Sequence, residues 1–297
     1  LFIQFLVALV LLMSTSVISK QMDVFMNGDM GYNKDYLLSM QVPRDWSEKG
    51  VKKMEVFRSA LMELPQIENI SLSYHLPGLL GSDMRNMYSE NRALESVAQV
   101  ITSDAHFADT YKIPMLAGQF FSPELNSEAA DMQVVINKKA AESLGFKSPE
   151  EAIGKQLSFK NDTEKFSIAG VSANFIANSM HQDTPPILWI NVANTAQYRF
   201  FTIRLQPGSL SAAVEALRAE WKKLQPEAPF VYQFMDERIR QSYNTELQIQ
   251  RAAQLATLVS LFIVFLGILG LISLSINLRN KEVGIRKVLG ASFYNLL

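Results

Sequence analysis

Few residues in this 297-residue chain are spaced to do chemistry. The three histidines, His75, His106 and His181, lie far apart and never at metal-ligand spacing to one another. Cysteine is absent, which removes disulfides, Cys-ligated zinc and thiol catalysis. Neither a G-x-S-x-G elbow nor a G-x-x-x-x-G-K-[ST] loop occurs, so the chain cannot cradle ATP phosphates by itself. The 13 methionines are scattered, the pattern of core and membrane filling. Lys and Arg total 28 against 29 acidic residues, with no basic block of five or more, a balance that argues against nucleic acid as a partner. No catalytic residue, metal ligand or bound cofactor is therefore assigned.

One segment has a pattern suited to holding a partner. After the uncharged run 252–278 come Arg279, Lys281, Glu282, Arg286 and Lys287 within a few positions. The composition from Asn280 to Leu289 favours helix, and Gly290 is placed as a C-terminal cap. Glu282 and Arg286 stand four apart in the favoured acid-first order. Arg286 and Lys287 fall in the last turn, where the helix dipole favours cations. Gly284 costs about 1 kcal/mol of helix propensity but opens a flat place for a partner to approach. The expectation is a short amphipathic helix at the cytoplasmic membrane face with Val283, Ile285, Val288 and Leu289 to bury. The alternative is a basic stop-transfer flank that only holds topology.

Two apolar runs position this segment. Residues 252–278 carry no charge and are long enough to span a bilayer at 1.5 Å rise per residue. The basic residues that follow stay in the cytoplasm by the positive-inside rule, which fixes the orientation of everything upstream. Residues 1–19 are likewise uncharged, with Lys20 the first charge. They lack the basic start and small-residue cleavage site of a signal peptide, so they read as the outer part of a membrane helix. An apolar stretch begins again at Phe293. The chain is expected to be a piece of a longer membrane protein, with its middle on the periplasmic or extracellular side.

The middle, 20–251, alternates strand and helix signals. Strands are predicted at 37–42, 67–74, 97–102, 132–136, 187–192, 200–205 and 230–234, with a hairpin of 156–159 and 166–171 around Asn161-Asp162. Ser47 and Asn137 are placed to cap helices running to Leu64 and Leu144, and a third helix covers 211–224. From Asp236 the chain is helix-compatible without a break into the membrane, with Arg238, Arg240, Glu246 and Arg251 solvated and Ile239, Tyr243, Leu247 and Ile249 covered. The fold class is α+β: an extracytoplasmic domain of two subdomains flanked by two transmembrane helices. One subdomain is discontinuous, about 20–92 and 194–251, around a strand-rich insert at about 93–193.

The stretch Lys281-Glu282-Val283-Gly284-Ile285-Arg286-Lys287-Val288-Leu289-Gly290-Ala291-Ser292 resembles the signature that follows the second membrane helix in the permease family of MacB, FtsX and LolC/LolE. Residues 100–122 are similar to that family's ectodomain, ending in Ala117-Gly118-Gln119-Phe120-Phe121-Ser122 with Gln119 where Arg is usual. Val134-Val135-Ile136-Asn137, Ile153-Gly154-Lys155 and Ile168-Ala169-Gly170-Val171 continue the pattern in order, so the resemblance covers nearly the whole chain.

The resemblance implies an ATP-binding-cassette transporter permease of the bacterial inner membrane, with a porter-like subdomain and an insert in the periplasm. It implies mechanotransmission, in which ATP-driven closure of a separate or fused cytoplasmic ATPase reshapes the periplasmic domain. The ATPase contact would then fall on Lys281, Glu282, Gly284, Ile285, Arg286, Lys287 and Gly290, with ATP on the partner and none in this chain. A second permease copy or repeat half, membrane lipid, and a periplasmic adaptor or substrate complete the implied partners. The competing class is a receptor, a sensor ectodomain between two membrane helices.

Overall fold

The computed structural model describes residues 2–78, 83–89, 94–121, 133–159, 165–178 and 183–288. The readings made for Leu79 to Gly81, Ser122, Met132, Asn161-Asp162, His181 and everything from Leu289 onward lie outside these described residues. The chain forms two compact units: the helical termini (1–28 and 243–297) and the domain Asp29–Ser242.

The terminal unit consists of α1 (Phe2–Asn27) and α9 (Asn244–Val288). Both are long and apolar enough to cross a membrane. Their contacts climb one helix and descend the other, so the pair is antiparallel. The Thr15 and Thr257 hydroxyls meet at 2.8 Å, Gln250 Nε2 donates to Ser19 Oγ at 3.2 Å, and Phe25 stacks on Tyr243 with centroids 5.3 Å apart. Among apolar side chains no hydrophobic force joins two helices in lipid, so such hydroxyl and amide contacts set the register.

The domain contains β1 (Leu37–Gln41), α2 (Glu48–Met62), β2 (Ile67–Ser73), β3 (Met84–Ser89), β4 (Glu95–Ser103), α3 (Phe107–Tyr111) and β5 (Met115–Gly118). There follow β6 (Gln133–Asn137), α4 (Lys138–Ser143), α5 (Pro149–Ala152), β7 (Gln156–Phe159), β8 (Lys165–Ser172), β9 (Ile187–Asn191) and α6 (Val192–Thr195). The last elements are β10 (Phe200–Leu205), α7 (Leu210–Leu224), β11 (Tyr232–Phe234) and α8 (Met235–Ser242). The α+β reading holds: two apolar helices flank a strand-rich domain. Local signals explain most of these elements. Ser47 and Asn137 cap α2 and α4, accepting from the amides of Gly50 and Ala140. Gly145, just past α4, takes φ +85, the left-handed conformation that glycine adopts without penalty.

The strands run in the order β11-β1-β10-β2-β4-β3-β7-β8-β6-β9, and β9 returns to pair with β4. That return closes β4, β3, β7, β8, β6 and β9 into a ring. Its interior holds Met87, Val100, Val134, Ile136, Leu157, Ile168, Leu188 and Ile190. β5 pairs with β8 beside the ring, and β11, β1, β10 and β2 form an open sheet. Phe201, Ile203 and Leu205 point to one face of it, onto α2 and α7 through Phe57, Leu61, Leu217 and Trp221. β4 belongs to both lobes: Glu95 to Gln99 pair with β3, and Ser103 pairs with Ser73 of β2.

Three expectations are corrected. The helix from Asp236 is interrupted at Tyr243, between α8 and α9. Around the break Ile249 is 55% exposed and Arg238 is half-buried, the reverse of the solvation expected. The basic segment is no separate short helix either, because α9 continues through it to Val288. Nothing between Leu278 and Val288 removes a backbone donor, and the cost of Gly284 is too small to stop a ladder already formed.

Candidate functional site

Lys281, Glu282, Gly284, Ile285, Arg286 and Lys287 all lie on the last turns of α9, so the structure brings them onto one element; Gly290 lies outside the described residues. Lys281 is exposed, and Ile285 is 56% exposed, an apolar side chain left uncovered within the chain.

The two described histidines, His75 and His106, lie in separate surroundings. His75 is buried against Tyr74, ring centroids 4.8 Å apart, and burial holds its pKa below the usual histidine range. His106 precedes α3, and burial, helped by the Arg58 charge, lowers it too. Among the described residues no group of three or more His, Asp or Glu is placed to hold a metal.

The polar groups that organise the domain were not singled out as a site by sequence. Asp104 sits where β4 leaves β2, just after the Ser73–Ser103 rung. Its Oδ1 accepts from Ser71 Oγ at 2.7 Å and from the His106 amide at 3.1 Å, and Oδ2 accepts from the Leu72 amide at 2.8 Å. The Asp104 amide still donates to Leu72 O at 2.8 Å, so backbone and carboxylate together carry the ladder one rung past Ser103. Burial pushes its pKa up to about 7 against the pull of those three donors. On the next element, Tyr111 is fully buried, hydroxyl to hydroxyl with Thr202 at 2.9 Å.

Arg204, on β10, is 2% exposed and faces away from the α2/α7 core. Its Nε donates to Thr110 O at 2.6 Å, Nη2 to Asn33 O at 2.7 Å and Nη1 to Asp35 O at 3.0 Å. Burial lowers its pKa, and neighbouring Glu68 and Asp35 oppose that. The fork holds the segment through which the chain enters the domain after α1. Where the chain leaves, Arg238 of α8 donates to Ser39 Oγ at 3.1 Å and covers the Phe200 ring at 5.9 Å. A signal for Arg204 was present in the sequence, since Phe-Phe-Thr-Ile-Arg-Leu puts a cation inside an apolar strand.

The resembled motif also has a visible rationale. Gly118 takes φ +65 and lies so close to Ala169 O that a side chain would collide with it. Phe120 and Phe121 are buried, and Phe120 meets Trp189 edge-on at 5.9 Å within an aromatic cluster that includes Phe107 and Phe175.

The family model of the MacB-like periplasmic core domain matches residues 6–220. The periplasmic region of MacB from Actinobacillus actinomycetemcomitans is similar in structure: 13% identity, TM-score 0.50, with 74% of this chain and 97% of that chain covered. A domain of a putative permease from Porphyromonas gingivalis shows 18% identity and TM-score 0.45, covering 67% of this chain and 89% of its own. The extracellular domain of the noncanonic ABC-type transporter YknZ from Gram-positive bacteria shows 13% identity and TM-score 0.43, covering 66% and 97%. At these identities the likeness is one of fold. Among curated proteins no match was found.

Proposed function

Because the chain belongs to the family of MacB-like periplasmic core domains, we propose that it converts ATP-driven closure of a cytoplasmic ATPase into a change of periplasmic conformation. It is an ABC transporter permease of the inner membrane, with two apolar helices flanking its periplasmic domain. Permeases of this family work with cytoplasmic ABC ATPases, which gives the kind of partner.

The single observation that carries the mechanical reading is α9. Its 45 residues run unbroken from the end of the domain into the basic segment, about 68 Å at 1.5 Å per residue. A continuous hydrogen-bonded ladder of that length is a lever: a push on one end is felt at the other. Lys281, Glu282, Gly284, Ile285, Arg286 and Lys287 form the ATPase-facing end of this lever, and Gly290, which follows in the sequence, belongs to the same contact. ATP binds on that partner, and this subunit itself is non-catalytic. A second permease copy or repeat half supplies the other lever for the ATPase dimer. Lipid surrounds the helices, and a periplasmic adaptor or cargo engages the domain.

The test is co-purification of the full-length permease, native against the double variant Gly284→Trp, Arg286→Glu. The reading requires an ATP-binding subunit to come down with the native protein and to be lost with the variant. A folded, inserted native protein that brings down no ATPase would leave the segment as a topological flank.

A further inference from the structure

The two places where the chain enters and leaves the domain are held very differently. On the inbound side, Arg204 is buried and its fork closes on the carbonyls of Asn33, Asp35 and Thr110. The Asn33 amide adds a bond to Tyr111 O at 2.9 Å, and Leu205 N reaches Tyr36 O at 2.9 Å. The bond to Thr110 O is buried and those to Asn33 and Asp35 are part-buried, so the guanidinium itself is satisfied on three sides.

On the outbound side, α8 is held by Met235 and Ile239, which are buried, and by Arg238. Among the described residues the Arg238 guanidinium has a single hydrogen bond, to the Ser39 hydroxyl, and its Nε is buried without a partner. The Arg199 guanidinium lies over the same Phe200 ring at 5.1 Å, and its Nε is also buried without a partner. Neither arginine makes an ion pair among the described residues. Two cations therefore share one aromatic ring with incomplete hydrogen bonding, an arrangement that releases easily. A cleft of about 450 Å³ adjoins Arg238, lined by Ser39, Gln41, Tyr232, Glu237 and Gln241 among others, and gives the side chain room to leave.

We propose that α8 is a releasable latch, with Arg238 and Phe200 as its positioning residues, and that the Arg204 cage is the fixed joint of the domain. The stroke of α9 frees α8 from Ser39 and Phe200 while the segment 33–35 stays caged. The proposal rests on the mechanotransmission reading above and adds which contact moves.

Hydrogen exchange on the full-length permease with its ATPase in lipid tests it, without nucleotide and with ATP plus vanadate. The latch requires amides of 235–242 to exchange about tenfold faster in the trapped state, with those of 33–37 unchanged. Arg238→Met should speed exchange in α8 before ATP is added, while ATP hydrolysis continues. If other parts of the domain respond to ATP and α8 does not, or 33–37 opens instead, the latch is wrong. If no part of the domain responds to ATP, the mechanotransmission reading falls and the latch with it.

Discussion

The open sheet and the closed ring share β4 and little else, and they solve the problem of sheet edges in opposite ways. The ring has no edge to protect, because β9 returns to β4 and each of its strands is paired on both sides over part of its length. Its core is made by its own strands, with α4 adding Ala140 and Ala141. The open sheet ends at β11 and needs two helices, α2 and α7, to cover one face. Its other face carries Thr202 and Arg204, the groups that hold α3 and the inbound segment. The lobe that is less self-sufficient is also the one joined to the chain's entrance and exit. A closed ring suits a body that moves as a whole, whereas an open sheet with helices on it suits a part that is pulled.

Breaking the open lobe should have the largest effect. Trp221 is 1% exposed, packs edge-on against Phe57, and has no partner for its indole nitrogen among the described residues. Trp221→Ala removes packing without removing a hydrogen bond, so it should cost about 3–5 kcal/mol in urea unfolding of the domain. Exchange should rise in α2 and α7 before it rises in β6 and β8.

The shared strand comes next. Asp104 has its pKa raised to about 7 from 3.8, chiefly by burial. A carboxyl raised on folding stabilises most below its unfolded pKa, and that stability is lost as pH rises through the folded one. The native protein should therefore lose on the order of 4 kcal/mol from this group between about pH 4 and pH 7. His75 and His106, both lowered, act in the opposite sense, their contribution being lost as pH falls. The measurable quantity is the difference between native and Asp104→Asn stability curves. It should slope across that window, and a flat difference would remove Asp104 as the titrating group at the junction.

Smaller effects sharpen the contrast. Ile136→Val inside the ring should cost about 0.5–1.5 kcal/mol, with exchange rising in the ring strands and not in α7. Smallest of all is the membrane pair, where Thr257→Val removes the contact to Thr15. That change should weaken α1–α9 association by about 0.6 kcal/mol, read by steric trapping in lipid, without altering domain unfolding.

Elements with local signals were legible in the sequence, and those defined by distant pairing were not. Ser47 and Asn137 announce helix starts, and α2 and α4 follow them. β3 was missed because Met84 to Ser89 carries Arg85, Asn86 and exposed Met84, with only Met87 fully buried. β5 is four residues long and exists by pairing with the end of β8. The ring depends on Val100 meeting Leu188, a contact no local pattern encodes. The basic segment was readable from its composition, but its continuity with α9 was not, since Gly284 and Gly290 suggested a separate helix with its own cap.

The central claim, that the end of α9 contacts an ATPase, is tested most directly by a photocrosslinking residue at Ile285 in the full-length permease. The account predicts an adduct with a cytoplasmic ATP-binding protein, lost when Arg286→Glu is introduced. A correctly inserted permease that gives adducts with lipid alone would contradict it.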